Sequence, residues 1–163
     1  MATKESVYEM TMKQKGYWNF SDTYAFLYDW LKQKKYGLAE ESYEESSGAA
    51  KEIKIKWKAT KKVTDYFKYE IALDWHILGM KDAEVEVEGK VKKTNKGDLK
   101  IKVEGTFIRD YDSTWEGKPF WQFARGLYEK YIIASNVKEY SDGLEDEATA
   151  MVEDLKAFLQ MAQ

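Results

Sequence analysis

The chain has 163 residues, a formal net charge of −3 and no cysteine. Disulfides, cysteine nucleophiles and thiolate metal sites are thereby excluded, and the mild net acidity argues against a nucleic-acid partner, which wants a basic track. One proline speaks against a Pro-rich linker, no apolar run approaches the roughly 20 residues that cross a bilayer, and the length fits a single domain, residues 1–163.

The start, Met1-Ala2-Thr3-Lys4-Glu5, lacks the apolar core of a secretion signal. With no transmembrane segment and no cysteine, the expected location is the cytoplasm. Val7 to Lys15 reads as a first strand, because Tyr8, Met10 and Met12 alternate with Glu9, Thr11 and Lys13. A helix follows, with Ser21 or Asp22 as its N-cap and Tyr24, Leu27, Tyr28 and Leu31 at helical spacing. Lysines at its end suit the negative pole of the helix, and Gly37 is the expected C-cap. Leu38 to Ser47 reads as a short strand whose glutamates face the lysines of the next one.

Lys51 to Asp112 then reads as a four-strand antiparallel meander. Ile53, Ile55, Trp57 and Ala59 alternate with Glu52, Lys54, Lys56 and Lys58. Lys61 to Asp65 makes a turn, and Phe67, Tyr69, Ile71, Leu73, Trp75 and Ile77 take the apolar side of the second strand, which ends at Gly79. Val85, Val87 and Val91 mark a third strand, with Gly89 as a bulge or bend. Thr94-Asn95-Lys96-Gly97-Asp98 is the next turn, since Asn and Gly tolerate tight-turn dihedrals. Leu99 to Arg109 is the fourth strand. One face is apolar, and the other carries lysines and glutamates that pair across strands. After a loop, Pro119 opens a helix through Phe123, Leu127 and Tyr131. Ser141-Asp142-Gly143 breaks it, and Glu145 to Gln160 forms a last helix.

Candidate chemistry is sparse. His76 is the sole histidine, on the outward register, and cannot build a multi-histidine zinc site. Asp110 and Asp112 form a carboxylate pair that could hold a hard cation or shift a pKa, but the motif lacks the 6–8 oxygens of a calcium site, so no metal is expected. Arg109 and Arg125 are the arginines among many lysines. Either could anchor a carboxylate or phosphate at a cavity mouth, or pair with a nearby acid. No Gly-x-Gly-x-x-Gly and no Walker-type loop is present, so no cofactor is implied.

The order of strand, helix, short strand, four-strand meander and C-terminal helices resembles the helix-grip arrangement of START-related and polyketide-cyclase-like proteins. The resemblance implies an α+β fold in which a curved antiparallel β-sheet packs against long C-terminal helices. It also implies a cavity between them for a small apolar ligand, and some members catalyse cyclisation or dehydration. Such a cavity would be lined by Trp57, Tyr69, Trp75, Arg109, Phe123, Arg125, Leu127 and Tyr131, with His76, Asp110 and Asp112 as a polar site. Two alternatives stand beside ligand binding: an interaction module, such as a homodimer using the surplus aromatics, and a cyclase- or dehydratase-type enzyme.

Overall fold

The computed structural model describes residues 3–48, 51–64, 66–109 and 134–161, together with Ala124 and Leu127. Strand β1 (Thr3–Gln14) and the two-residue β2 (Tyr17–Trp18) precede helix α1 (Phe20–Gln33). Then come β3 (Gly37–Ser47), β4 (Lys51–Lys62), β5 (Phe67–Val87), β6 (Lys90–Arg109) and helix α2 (Ala134–Met161). The strands form one antiparallel sheet in the order β1-β6-β5-β4-β3, with β2 added beside β6.

Period-two alternation decides which face is covered. Ile53, Ile55, Trp57 and Ala59 of β4, Phe67 through Ile77 at every second position of β5, and Leu99, Ile101, Val103 and Phe107 of β6 are all buried. Helices α1 and α2 lie on that face. Leu27, Trp30 and Leu31 of α1 are buried, as are Leu144, Ala148, Met151, Val152, Leu155 and Leu159 of α2, a spacing that forms one stripe along the helix. The two helices meet where the rings of Phe26 and Phe158 stack with centroids 4.5 Å apart and the Trp30 indole donates to Asp154 Oδ2 at 2.9 Å. No described element covers the opposite face.

The helix-grip, START-like expectation is not upheld. The sheet is open and not strongly curled, and its edge strands β1 and β3 do not meet. Curvature needs bulges or glycine kinks within a sheet. Here β4 pairs with β5 from Glu52–Leu78 to Lys62–Lys68, and β5 with β6 from Phe67–Arg109 to Leu78–Asp98, without a register shift. The shifts fall on the outer pairings, at Ser6/Tyr8 and Glu40/Ser42, and beyond Leu78. The fold is α+β, but it is not a curved sheet gripping a helix.

The meander also has three strands rather than four. The run does not stop at Gly79, which adopts φ +66 in a bulge at Leu78/Lys81. β5 continues to Val87, reverses at Glu88 (φ +52) and Gly89 (φ +79), and returns as β6. Two positive-φ residues in succession are the signature of a two-residue hairpin turn. Asn95-Lys96-Gly97-Asp98, expected as the turn, therefore lies within β6. Gly97 is required there by packing: a Cβ would stand 3.0 Å from Met80 Cα, in the bulge of β5.

The helix ends differ in detail as well. Asn19, not Ser21 or Asp22, caps α1, its Oδ1 accepting from Asp22 N at 2.8 Å. The C-terminus closes as a Schellman motif, with Tyr36 N donating to Leu31 O and Lys35 N to Lys32 O. Its left-handed residue is Lys35 (φ +72) rather than Gly37. Helix α2 runs through Ser141-Asp142-Gly143 without a break. Of the helix expected from Pro119 to about Tyr140, the part before residue 134 lies outside the described residues, except that Ala124 and Leu127 are helical, and 134–140 form the start of α2.

Candidate functional site

The structure brings Trp57 and Trp75 together and sets Tyr69 apart from them. On the covered face Trp57 and Trp75 are neighbours across β4 and β5, ring centroids 5.1 Å apart, and both are fully enclosed. Tyr24 of α1 packs edge-on to Trp57 at 4.8 Å, and Phe20 edge-on to Trp75 at 6.4 Å. One carboxylate oxygen closes this cluster at the β3 edge: Glu40 Oε1 accepts from Tyr24 Oη at 2.9 Å and from Trp57 Nε1 at 3.0 Å. Burial and then that carboxylate push the Tyr24 hydroxyl up to about 12, since both disfavour the phenolate. Trp75 Nε1 is buried without an acceptor among the described residues.

Tyr69 lies three inward positions from Trp75 toward the start of β5, over helix α2. Its hydroxyl donates to the Tyr140 carbonyl at 2.5 Å. Beside it, Lys61 pairs with Glu147 Oε1 at 2.7 Å, while Tyr36 Oη donates to Glu147 Oε2 at 2.9 Å. The Lys61 ammonium sits 4.7 Å from the Tyr36 ring centroid and 5.6 Å from that of Tyr69. Burial and the Glu147 carboxylate raise the hydroxyls of both Tyr36 and Tyr69. Each polar group of this network has a partner, so it ties β4 and β5 to α2 as a structural clamp.

Arg109 ends β6 opposite Thr3 and Phe67, with its Nε buried and no acceptor among the described residues. His76 lies on the uncovered face, its Nε2 2.8 Å from Glu52 Oε1, and so faces away from Trp57, Trp75 and Tyr69. Leu127 is exposed. Phe123, Arg125, Tyr131, Asp110 and Asp112 lie outside the described residues. Among the described residues, no group of three or more His, Cys, Asp or Glu could hold a metal, and no helix is long and apolar enough to cross a membrane.

Sequence reasoning missed the projecting arm. Past the Glu52–Leu78 pair, β4 no longer accompanies β5, and β2 touches β6 at Asn95 and Lys96. From Ala83 to Val87 and from Lys90 to Thr94 the sheet is therefore a two-stranded ribbon, about 15 Å long at the usual rise per residue. Val87 and Val91 near its tip are 51% and 69% exposed. Its β5 strand carries Glu84 and Glu86, with Asp82 at the root, and its β6 strand Lys90, Lys92 and Lys93. The legible signal was the Glu88-Gly89 pair between two alternating runs, outweighed by the stronger Asn/Gly turn composition at 94–98.

The root of the arm is knit to α1. Asn95 Oδ1 accepts from Phe20 N at 2.9 Å, Asn95 Nδ2 donates to Asp82 Oδ1 at 3.3 Å, and Trp18 Nε1 donates to Gly97 O at 3.1 Å. An open groove of about 710 Å³ lies there, lined by Asn19, Asp82, Glu84, Lys93, Thr94 and Asn95. Its lining is polar, unlike the apolar cavity expected between sheet and helix.

No protein-family model matches the chain, and no curated protein matches it. Among solved structures it is matched to an uncharacterized protein from Rhizobium leguminosarum, at 8% identity over 94% of this chain and 99% of that one, with a TM-score of 0.19. At that score the likeness carries no argument about fold or function.

Proposed function

We propose that this protein is a protein-interaction module and that the β5–β6 arm is its contact element. The observation that carries this reading is the exposure of Val87 and Val91 on a ribbon that leaves the sheet. An isolated two-stranded hairpin is marginal in water, and apolar side chains at its tip add nothing to a fold they do not touch. Burial against a partner gives them a role, worth about 1.5–3 kcal/mol for each side chain fully covered.

A second copy of the chain is the partner that the arm's charges suit best. Glu84 and Glu86 share one face of the ribbon with Lys93 and Val91. Two arms related by a two-fold axis can set the Lys93 ammonium of each copy against a carboxylate of the other, around Val91, while Val87 lies on the opposite face of the ribbon. Edge-to-edge pairing about such an axis would instead oppose like charges, Asp82 and Glu86 on one edge or Lys90 and Lys92 on the other. The test is sedimentation velocity over a range of concentrations, on the unaltered chain and on a Val87→Glu, Val91→Glu variant. The unaltered chain should associate and the variant should remain a monomer with unchanged circular dichroism. A chain that stays monomeric throughout, or a variant that associates equally well, overturns this reading.

A second reading, a small ligand held between the sheet and the C-terminal helices near Trp57, Tyr69, Trp75 and Arg109, is favoured by one observation: the buried, unpartnered indole N–H of Trp75. Against it, the side chains around that indole are packed ring to ring. Native mass spectrometry of freshly purified protein decides it, because a bound small molecule appears as a defined mass increment.

A further inference from the structure

The uncovered sheet face holds a second feature, independent of the arm. In the register of β4, β5 and β6, Lys54 and Lys100 flank His76, and one inward step along, Lys56 and Lys102 flank Asp74. Long side chains on the outer two strands and shorter ones on the central strand make a trough. Its volume is about 240 Å³, with the four lysines as walls and Asp74 and His76 as floor. The walls stand roughly 10 Å apart, two strand spacings, and a lysine stem spans about half of that. Opposite ammoniums can therefore close on one small group between them.

The charges in the trough are not spent on one another. Lys54 lies 3.7 Å from Glu52, whose same oxygen is 2.8 Å from His76 Nε2, and Lys102 lies 3.2 Å from Glu9. Among the described residues Lys56 and Lys100 make no ion pair, although Lys56 is directly opposite Asp74. Cross-strand neighbours of opposite charge ordinarily pair, so the cations here are left available. Counting four ammoniums against the carboxylates of Asp74, Glu52 and Glu9, the trough keeps a local excess of positive charge in a chain whose net charge is negative, and Lys56 and Lys100 carry it. Glu9, Glu52, Glu70 and Glu104 stand around it on the same face and would repel an extended polyanion or an anionic membrane surface.

We propose that this trough binds a small anion, a phosphate- or carboxylate-bearing molecule. Its charged group would lie between Lys56 and Lys100, the two ammoniums without an ion pair, beside His76, and a hydroxyl or amine of the same molecule would reach the Asp74 carboxylate. The size fits: a phosphate or carboxylate with a short carbon chain fills such a volume, and the acidic surroundings limit the ligand to that extent. Lysine suits the site because its ammonium acts as a compact, flexible point charge rather than as a planar fork.

The chain supplies its own reporter, because His76 is its single histidine and gives one pair of imidazole C–H signals in a proton NMR spectrum. The full chain is titrated with inorganic phosphate and, separately, with succinate, at fixed pH and ionic strength. A saturable shift of the His76 signals is expected with at least one of them, and the affinity should fall roughly tenfold or more in Lys56→Gln, Lys100→Gln, as charge-assisted contacts are lost. A control variant, Lys81→Gln with Lys90→Gln, removes the same charge from the arm and its root and should bind as the unaltered chain does. The proposal is overturned if neither anion gives a saturable shift, or if both variants lose affinity equally, which would make the effect one of net charge. It is also overturned if heparin or phosphatidylserine vesicles bind while phosphate and succinate do not. These readouts do not depend on the association state, so the trough and the arm stand or fall separately.

Discussion

Replacing Gly143 by alanine separates helix propensity from packing. In an exposed helix interior the change stabilises by about 1 kcal/mol. At this position an added Cβ would stand 2.8 Å from Tyr69 Oη, well inside van der Waals contact, with the next atom of that side chain, Cζ, at an ordinary 3.9 Å. The hydroxyl cannot swing away freely, because it donates to Tyr140 O and its ring is buried beside Phe107. Overpacking costs about 1–3 kcal/mol, and displacing the hydroxyl forfeits a hydrogen bond of about 1 kcal/mol. Gly143→Ala should therefore destabilise the chain by a net of about 1–3 kcal/mol. In a Tyr69→Phe background the obstructing oxygen is gone, and the same change should stabilise by about 0.5–1 kcal/mol. The double-mutant cycle then gives a coupling of about 1.5–4 kcal/mol. Urea unfolding followed by tryptophan fluorescence measures all four proteins. Effects of Gly143→Ala that agree in the two backgrounds within about 0.5 kcal/mol would refute the contact as the reason a glycine occupies this helix.

Two further predictions concern the turn and the clamp. Gly97→Ala meets backbone atoms of β5, Met80 Cα at 3.0 Å and Leu78 O at 3.2 Å, which cannot move without shifting the strand. Gly89→Ala meets open space and carries the cost of positive φ alone, about 1–2 kcal/mol. Denaturant midpoints should accordingly fall further for Gly97→Ala, and the reverse order would contradict the bulge-and-glycine account. In alkali, the raised hydroxyls of Tyr36 and Tyr69 contribute stability that is complete below the ordinary value of 10.0 and is lost as pH rises, for Tyr69 through about 12. The melting temperature of the unaltered chain should fall more steeply over this interval than that of Tyr36→Phe, in which one such group no longer titrates. Equal slopes would show that the clamp does not resist ionisation.

Strand faces were legible in the sequence because a period of two survives any tertiary detail. The placement of Ile53, Trp57, Leu73 and Trp75 inside, and of Lys54, Lys56 and His76 outside, follows from alternation alone. The pairing of Glu45 with Lys51 and Glu41 with Lys58 follows from composition and neighbourhood. What failed to come through depended on contacts between distant residues. Gly97 looked like a turn because Asn and Gly favour turns, yet its smallness answers to Met80 across the strand pair. Gly143 looked like a helix stop because glycine is a poor helix former, yet α2 continues past it and Tyr69 fills the space. Curvature is carried by where bulges fall rather than by the order of elements, so the likeness in element order to helix-grip proteins did not extend to the shape of the sheet. The arm became visible once β5 and β6 were seen to outrun β4.

The most direct test of the arm as contact element uses the absence of cysteine from the chain. A single Val91→Cys substitution places one thiol near the tip, and Lys13→Cys places one on the edge strand β1, outside the arm. Both proteins are treated with a short bis-maleimide and resolved on a denaturing gel. Covalent dimer should form with Val91→Cys and be nearly absent with Lys13→Cys. Equal cross-linking of the two, or none from the arm at concentrations where the chain is associated, would contradict the assignment of the arm as the surface through which this protein meets its partner.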